Sequence, residues 1–521
     1  MTEEMRTSVN STNVDPKTRN MIMVGLALGM IVACLDGTIV STALKTIAQE
    51  LNGMDIYSWA ITAYLLCETI LIPISGKLSD IYGRKPLLLA GIALFLIGSV
   101  LAGLSTNMVE LIAFRALQGL GGGILIPVAT ATVADLYPPE KRGKVQGMLG
   151  AIFAVGSAIG PLLGGLITDS IGWHWCFFIN VPIGLVMIAL TAAKFPSINV
   201  PEKPYIDYTG IGILSLFIAD ILLLFTWAGN DFPWLSIETA VMVIIAVVLL
   251  LIFIKIEHKV KDPVMNPHIF KNKVMVSSSV MIFIFGMTMM GVLTFITVFL
   301  QMIMGYTPTE SGYVTLALVA GMMITSISSG ALLNRTGYRP WLIGGPVFSC
   351  IGLVMMSYLH NGSELWFLLL SLFICGFGFG CVMSVIMILV QNNSSEKEMG
   401  MSTSTINLFR NIGGTMATGL FSTIITTAFI QKLNGIPGLA EAGYPMNTSI
   451  LNHLGEITIQ FGPASVEKII SEYGSSIALT FLIAAIIIIL VAAVAIFLKA
   501  EPIPHVEKDG SKKKKHQEEE S

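Results

Sequence analysis

Charge is scarce in this sequence. Only 12% of its 521 residues are Asp, Glu, Lys or Arg, against about 25% in an ordinary soluble domain, and this shortage excludes a solvated globular protein. The formal net charge is −3, and the few charges fall almost entirely in loops and ends, so no acidic or basic face for nucleic acid is expected. Cysteine is also sparse. The six that occur, Cys34, Cys67, Cys176, Cys350, Cys375 and Cys381, have neither disulfide-framework nor zinc-ligand spacing, and all sit in apolar segments. A P-loop, HExxH and GxSxG are missing, so nothing points to an enzyme. No interval between apolar runs is long enough for a separate soluble domain.

What the chain has instead is apolar length. Hydrophobic residues make up 54% and glycines number 50, a composition that fits membrane helices. Windows of about 20 apolar residues, the length that crosses a bilayer, occur near 21–43, 57–76, 86–104, 108–133, 145–168, 175–194, 208–228 and 236–256. Six more follow near 274–303, 311–333, 341–359, 365–390, 401–430 and 474–498. The expectation is an all-α polytopic membrane protein with fourteen spans. The first run is too long for a signal peptide and no small-residue cleavage site follows it. With both ends cytoplasmic, the inner loops and tails hold 25 of the 30 basic residues, and only Lys45, Lys432 and Lys468 fall outside; this bias sets the orientation. The longest loop, 431–473, is then external, and the tail SKKKKHQEEES is expected to be solvated.

The chain also repeats itself. GKLSDIYGRKPLLLAG (76–91) aligns without a gap on GALLNRTGYRPWLIGG (330–345), which places Asn334 where the first copy has Asp80. The offset corresponds to eight spans, so a six-span unit duplicated around two inserted spans explains it. The expected organisation is a tail (1–20), a six-helix bundle (21–200), two inserted spans (201–262), a second bundle (263–500) and a charged tail (501–521). In the loop motif, Gly76 and Gly83 permit a tight turn and Asp80 can cap a helix end. Arg84 and Lys85 anchor the inner face, so the loop can latch the halves together. The plainer alternative is that the two basic residues only set topology. Gly156, Gly160 and Gly164 recur every four residues and leave a groove on span 5 for close helix approach, with Pro161 softening the helix and Gly165 extending the small-residue run. A generic packing seam is the alternative.

Intramembrane charges are expensive and normally face the bundle interior in pairs. Asp36 and Arg115 each lie seven residues from the outer end of their spans, hence level in depth, and are expected to interact directly or through water, with the carboxylate facing a polar cavity rather than lipid. A carboxylate there either serves as a static partner or changes protonation as access alternates, which would let it carry a proton. Glu68 lies deeper, on the same helix face as Tyr64, and is a second candidate for proton coupling or cation recognition. Asp36, Tyr64 and Glu68 are therefore also candidate substrate contacts. Asp220, in an inserted span, is expected to be peripheral. Methionines crowd span 9 and phenylalanines span 12, so Met287, Met290, Phe377 and Phe379 are candidates for an adaptable apolar wall; packing or lipid contact is the alternative. His174 is expected near the outer surface, and Arg410 is expected to orient span 13.

GKLSDIYGRK, LIAFRALQGLGGG (111–123) and GSAIGPLLGG (156–165) resemble signatures of the major facilitator superfamily. LDGTIVSTAL and WHWCFFINVPIG, together with fourteen spans, resemble its drug:proton antiporter branch, typified by multidrug and quaternary-ammonium exporters. That resemblance implies two six-helix bundles around a central cavity and a loop motif that holds the outward-open state. It associates the glycine-proline string with export. The implied activity is proton-coupled efflux of amphipathic, chiefly cationic small molecules across the cell membrane, powered by a proton gradient without a cofactor. Small molecules, protons and the lipid bilayer are the expected partners, without nucleic acid, and a periplasmic accessory protein stays an open question. A dedicated exporter of one antibiotic, lipid or metabolite is the nearest alternative, and a non-transporting sensor a remote one.

Overall fold

The computed structural model describes residues 15–195, 205–229, 231–395, 398–434, 436, 439, 444 and 448–498; the chain's two charged ends and most of 435–447 lie outside the described residues. Among the described residues, fourteen helices are long and apolar enough to cross a membrane. They are α1 (Pro16–Glu50), α2 (Trp59–Tyr82), α3 (Arg84–Gly103), α4 (Met108–Leu136), α5 (Pro139–Ile171), α6 (Trp175–Lys194) and α7 (Tyr208–Trp227). The series continues with α8 (Ile237–Glu257), α9 (Lys273–Met302), α10 (Pro308–Thr336), α11 (Arg339–Met356), α12 (Leu365–Asn392), α13 (Met399–Leu433) and α14 (Pro463–Phe497). An even number of spans puts both ends of the array on one face, called here the terminal face.

Several helices run past the apolar windows, because polar residues at their ends are still good helix formers or caps. Asp15 caps α1, and Pro139 and Pro463 occupy the first turns of α5 and α14, where a missing N–H costs nothing. The early start of α14 shortens the expected external loop. Between α13 and α14, a short helix at Leu454–Phe461 buries Ile457 with Phe429, Leu433 and Ile469, forming a small apolar cap on the face opposite the termini.

The duplication is visible in the packing. In the first half α1 lies on α5, α2 and α3 on α4, and α6 against α1 and α3. Eight spans later α9 lies on α13, α10 and α11 on α12, and α14 against α9 and α11. The halves meet along two seams, α5 with α10 and α2 with α13. The extra pair departs from this symmetry: α7 packs on α2, α13 and α8, while α8 shows Ile244 and Leu251 to the surroundings. Lys77 of α2 is paired with Asp262 beyond α8, which ties the added pair to the first half.

Both seams close most tightly at the terminal face, and both do so through glycine. A Cβ on Gly330 would sit 2.0 Å from the Gly143 carbonyl oxygen, and one on Gly143 would sit 2.3 Å from that of Gly330. On the other seam, Cβ atoms on Gly76 and Gly400 would each lie 2.6 Å from the partner's carbonyl oxygen. Toward the opposite face the α5–α10 approach relaxes to ordinary contact, 3.6 Å from a Cβ on Gly312 to Leu162. Burial follows the same gradient. Every residue of α13 from Met399 to Leu408 is buried, whereas Asn411, Thr415 and Thr418 farther along are only half-buried. The structure is closed at the terminal face.

Polar contacts reinforce this closure at equivalent places. Asp80 accepts hydrogen bonds from the backbone N–H groups of Gly400 and Met401, both 3.0 Å, at the start of α13, where the helix dipole favours negative charge. Arg84 donates to Asp80 and to Asp135, each at 2.8 Å, and also to Ser79. Its chain direction is set by Gly83, whose φ of 86° ends α2, a backbone state that suits glycine. Lys85 is half-exposed beside it. In the second copy Gly337, φ 73°, ends α10, and Asn334 donates to the Glu140 carbonyl at the start of α5, 2.7 Å away. One copy accepts from a helix start and the other donates to it.

Two outcomes are expected. Gly330→Leu places a side chain against Gly143 and opens the terminal face, so a Ser384→Cys reporter should label faster from that side; unchanged labelling would mean the seam is not the closing contact. Asp80→Asn removes a charge-assisted contact, of which each hydrogen bond contributes about 1.5–3 kcal/mol, whereas Asn334→Ala removes a neutral one nearer 0.5–1.5 kcal/mol. The same labelling should therefore rise more for Asp80→Asn, and equal responses would cancel the asymmetry.

Candidate functional site

A carboxylate inside a membrane helix needs its partners within the protein, and Asp36 of α1 finds three. Arg115 of α4 donates to its Oδ2 at 2.5 Å. Gln118, one turn along α4, donates to Oδ1 at 2.7 Å, and Asn180 of α6 donates to the same oxygen at 3.0 Å. Ser99 of α3 accepts from Gln118 and Asn180 and passes its own proton to the Phe177 carbonyl, 2.9 Å away. Arg115 also donates to Gln118 Oε1 at 2.7 Å and to the Ala60 carbonyl at 3.3 Å. Its guanidinium stacks 4.1 Å above the Tyr64 ring, a cation–π contact.

Asp36, Ser99, Arg115, Gln118 and Asn180 are all 0% exposed. The structure thus brings Asp36 and Arg115 into direct contact, and two amides and Ser99, rather than a cavity, surround the carboxylate. Sequence reasoning missed these three neutral residues. Gln118 is three residues after Arg115, on the same helix face, and Asn180 lies inside the quoted WHWCFFINVPIG string, so the signals were present. Trp173 in that string donates to Glu50 at 2.7 Å and stacks on His174, ring centres 3.8 Å apart, which fixes the turn that presents Asn180.

The glycine face of α5 runs along the back of this network. A Cβ on Gly160 would meet Thr38 Oγ1 at 1.8 Å, one on Gly164 would meet Thr42 Oγ1 at 2.1 Å, and one on Gly156 would lie 3.1 Å from the Cys34 Cβ. The neighbour in the groove is therefore α1, the helix that carries Asp36. Gly165 turns toward α10, 3.6 Å from Thr309. Pro161 lies within α5; its side chain is outside the described residues.

Glu68 is separate from the Asp36 cluster. It is 8% exposed on α2, makes no ion pair among the described residues, and interacts electrostatically with Arg410, Arg115 and Asp36. Tyr64 turns to Arg115 rather than to a ligand space, and its hydroxyl has no partner. Between the halves, above the closed terminal face, lies a cavity whose walls include Met30, Thr130, Gln146, Ser384, Asn407 and Arg410. The four expected wall residues do not line it. Phe377 meets Phe348 of α11 edge-on with centroids 5.0 Å apart, and Phe379 meets Phe285 of α9 at 5.5 Å. Met287 is buried beside Gly413, and Met290 packs against Gly414. The methionines that do reach the cavity are Met30, Met383 and Met387. Among the described residues no cluster of three His, Cys, Asp or Glu suits a metal ion.

Comparison with known proteins agrees with this architecture. The sequence profile of the Major Facilitator Superfamily matches residues 26–418. Multidrug resistance protein 3 of Bacillus subtilis (strain 168) is 33% identical over 496 residues, covering 94% of this chain and 97% of that protein. Multidrug transporter protein MdtP of the same organism is 32% identical over 469 residues, covering 88% and 87%. Among solved structures, the human organic anion transporter MFSD10 superimposes with a TM-score of 0.59 at 13% identity, over 91% of this chain and all of that one. The proton:xylose symporter XylE gives 0.55 at 14% identity, over 89% and 95%; both likenesses concern the fold. Fourteen membrane helices in duplicated halves, a matching profile over most of the length and relatives aligned end to end leave one assignment: the chain is a membrane transporter of the major facilitator superfamily, not an enzyme.

Proposed function

We propose that this transporter is a proton-coupled efflux antiporter for amphipathic small molecules, cations among them, working by alternating access in the cell membrane with both ends cytoplasmic. The observation that carries the reading is Asp36, an acid paired with Arg115 at 0% exposure on α1, the helix packed against the glycine face of α5. Burying a charge pair is costly unless every lone pair and proton is satisfied, and this pair is satisfied only in the arrangement seen. A movement of α1 along α5 that parts Asp36 from Arg115, Gln118 and Asn180 leaves a carboxylate without donors in a low dielectric, where the neutral acid is the favoured form. Proton uptake is thereby tied to which face is open.

The basic residues concentrated on the terminal face support a cytoplasmic placement, so the closed terminal face corresponds to an outward-facing state. The two Bacillus relatives carry multidrug names, which supports export of varied compounds. Glu68, acidic and near the space between the halves, supports the inclusion of cations.

Replacing Asp36 alone by Asn leaves Arg115 buried without its counter-charge, a loss of about 3–5 kcal/mol, so thermal stability should fall. The double change Asp36→Asn with Arg115→Gln removes both charges and should recover stability. It should not recover transport driven by a pH gradient in proteoliposomes, although substrate binding persists. Gradient-driven accumulation at the wild-type level in the double variant would remove Asp36 from coupling. Glu68→Gln is expected to weaken export of cationic substrates while sparing neutral ones in the same vesicles, and an equal loss for both would assign Glu68 a structural role.

A further inference from the structure

The second half contains a single buried charge in its spans among the described residues, Arg410 of α13, 6% exposed. Arg115 has a carboxylate, an amide and a carbonyl. Arg410 has none of these: its guanidinium lies 5.0 Å from the centre of the Phe153 ring, its Nε has no hydrogen-bond partner, and no acid lies within ion-pair distance among the described residues. Arginine keeps its proton in any protein environment and presents a planar fork of N–H donors. A buried guanidinium without an anion is a group awaiting one.

Its surroundings show where that anion would sit. Arg410 lines the cavity between the halves, together with Ser384 of α12 and Asn407 one turn earlier on α13. The Ser384 hydroxyl and the Asn407 carbonyl oxygen are buried and also lack partners, the Asn407 amide nitrogen being spent on the Thr403 carbonyl at 3.0 Å. No lining residue is acidic, and Glu68, the acid that acts on Arg410 from α2, does not reach ion-pair distance. Unsatisfied buried polar groups are uncommon and call for a physical explanation; here three of them belong to residues that line the same cavity. Ile126, Leu149 and Ile282 supply apolar wall beside them.

We propose that Arg410 and Ser384 form a subsite for the anionic head, a carboxylate or phosphate, of an amphipathic substrate, with Asn407 accepting from an N–H or O–H next to that head. The proposal rests on the exporter reading for the location of the substrate space and extends it: the substrate range includes anions and zwitterions, the latter able to offer a positive end toward Glu68. A guanidinium fork matches both oxyanion types through paired hydrogen bonds, so the geometry does not choose between them and the experiment must.

The test uses full-length protein in nanodiscs of zwitterionic lipid and three probes that share one ring and differ in the head: naphthylacetate, naphthyl phosphate and naphthylmethylammonium. Calorimetry should show one or both anions binding the wild type. Loss of a charge-assisted pair corresponds to an affinity drop of about ten- to a hundredfold in Arg410→Gln, with partial retention in Arg410→Lys and a smaller loss in Ser384→Ala. Ammonium binding should be undiminished in all three. Which anion binds more tightly identifies the head. Anion affinity unchanged in Arg410→Gln, or no anion binding to a wild type that binds the ammonium probe, overturns the subsite. If Arg410→Gln does not fold, the wild-type comparison and the Ser384→Ala variant decide. The exporter reading is judged separately by pH-driven transport of the ammonium probe in liposomes: its failure alongside Arg410-dependent anion binding would leave the subsite standing and remove the cation-export reading.

Discussion

Two helices can approach no closer than the atoms between them allow, and at the terminal face glycines bring the backbones of the two halves almost into contact. Gly143 faces Gly330 and Gly76 faces Gly400 with backbone against backbone. In a bilayer, where apolar side chains gain little by leaving lipid, such close packing and the polar contacts it permits supply most of the attraction between helices. Asp80 reaches the first N–H groups of α13 because Gly76 lets α2 come that near, and Asn334 reaches Glu140 because Gly330 does the same for α10. The cavity has a floor for the same reason.

The two halves share this mechanical plan and differ in electrostatics. In the first, a carboxylate, a guanidinium, two amides and a hydroxyl from four helices are joined in one network with 0% exposure. In the second, one guanidinium stands over an aromatic ring beside a small cavity. Duplication therefore delivered one bundle whose arginine is internally compensated and one whose arginine is available. A low dielectric strengthens both situations, since it rewards the paired charges and penalises the unpaired one.

The spans were legible because crossing a bilayer demands a run of apolar residues, and the duplication because Gly76, Gly83 and Pro86 recur as Gly330, Gly337 and Pro340. Asp36 and Arg115 stood out because ionised groups in such runs are rare. Their companions did not: Gln118, Asn180 and Ser99 carry no charge and are tolerated within spans, so only three-dimensional proximity reveals them. The wall residues were harder still. Side chains facing lipid and side chains facing the protein interior are both apolar, which removes the polar-versus-apolar periodicity that assigns a helix face in water. Phe377 against α11 and Met383 in the cavity look alike as sequence. The partner of each glycine was equally hidden, because a small residue records that something comes close without recording what.

The added pair, α7 and α8, has a consequence for the molecule's surroundings. Without it the two flanks would be near-equivalent, each a junction of one helix from either half. With it, the α2–α13 flank is sheathed by α7 and held there through Lys77 and Asp262, while no other helix among the described residues covers the α5–α10 flank. A hydrophobic solute diffusing laterally in the bilayer therefore encounters a front and a back, and any neighbour that docks in the plane of the membrane has a polarity to read.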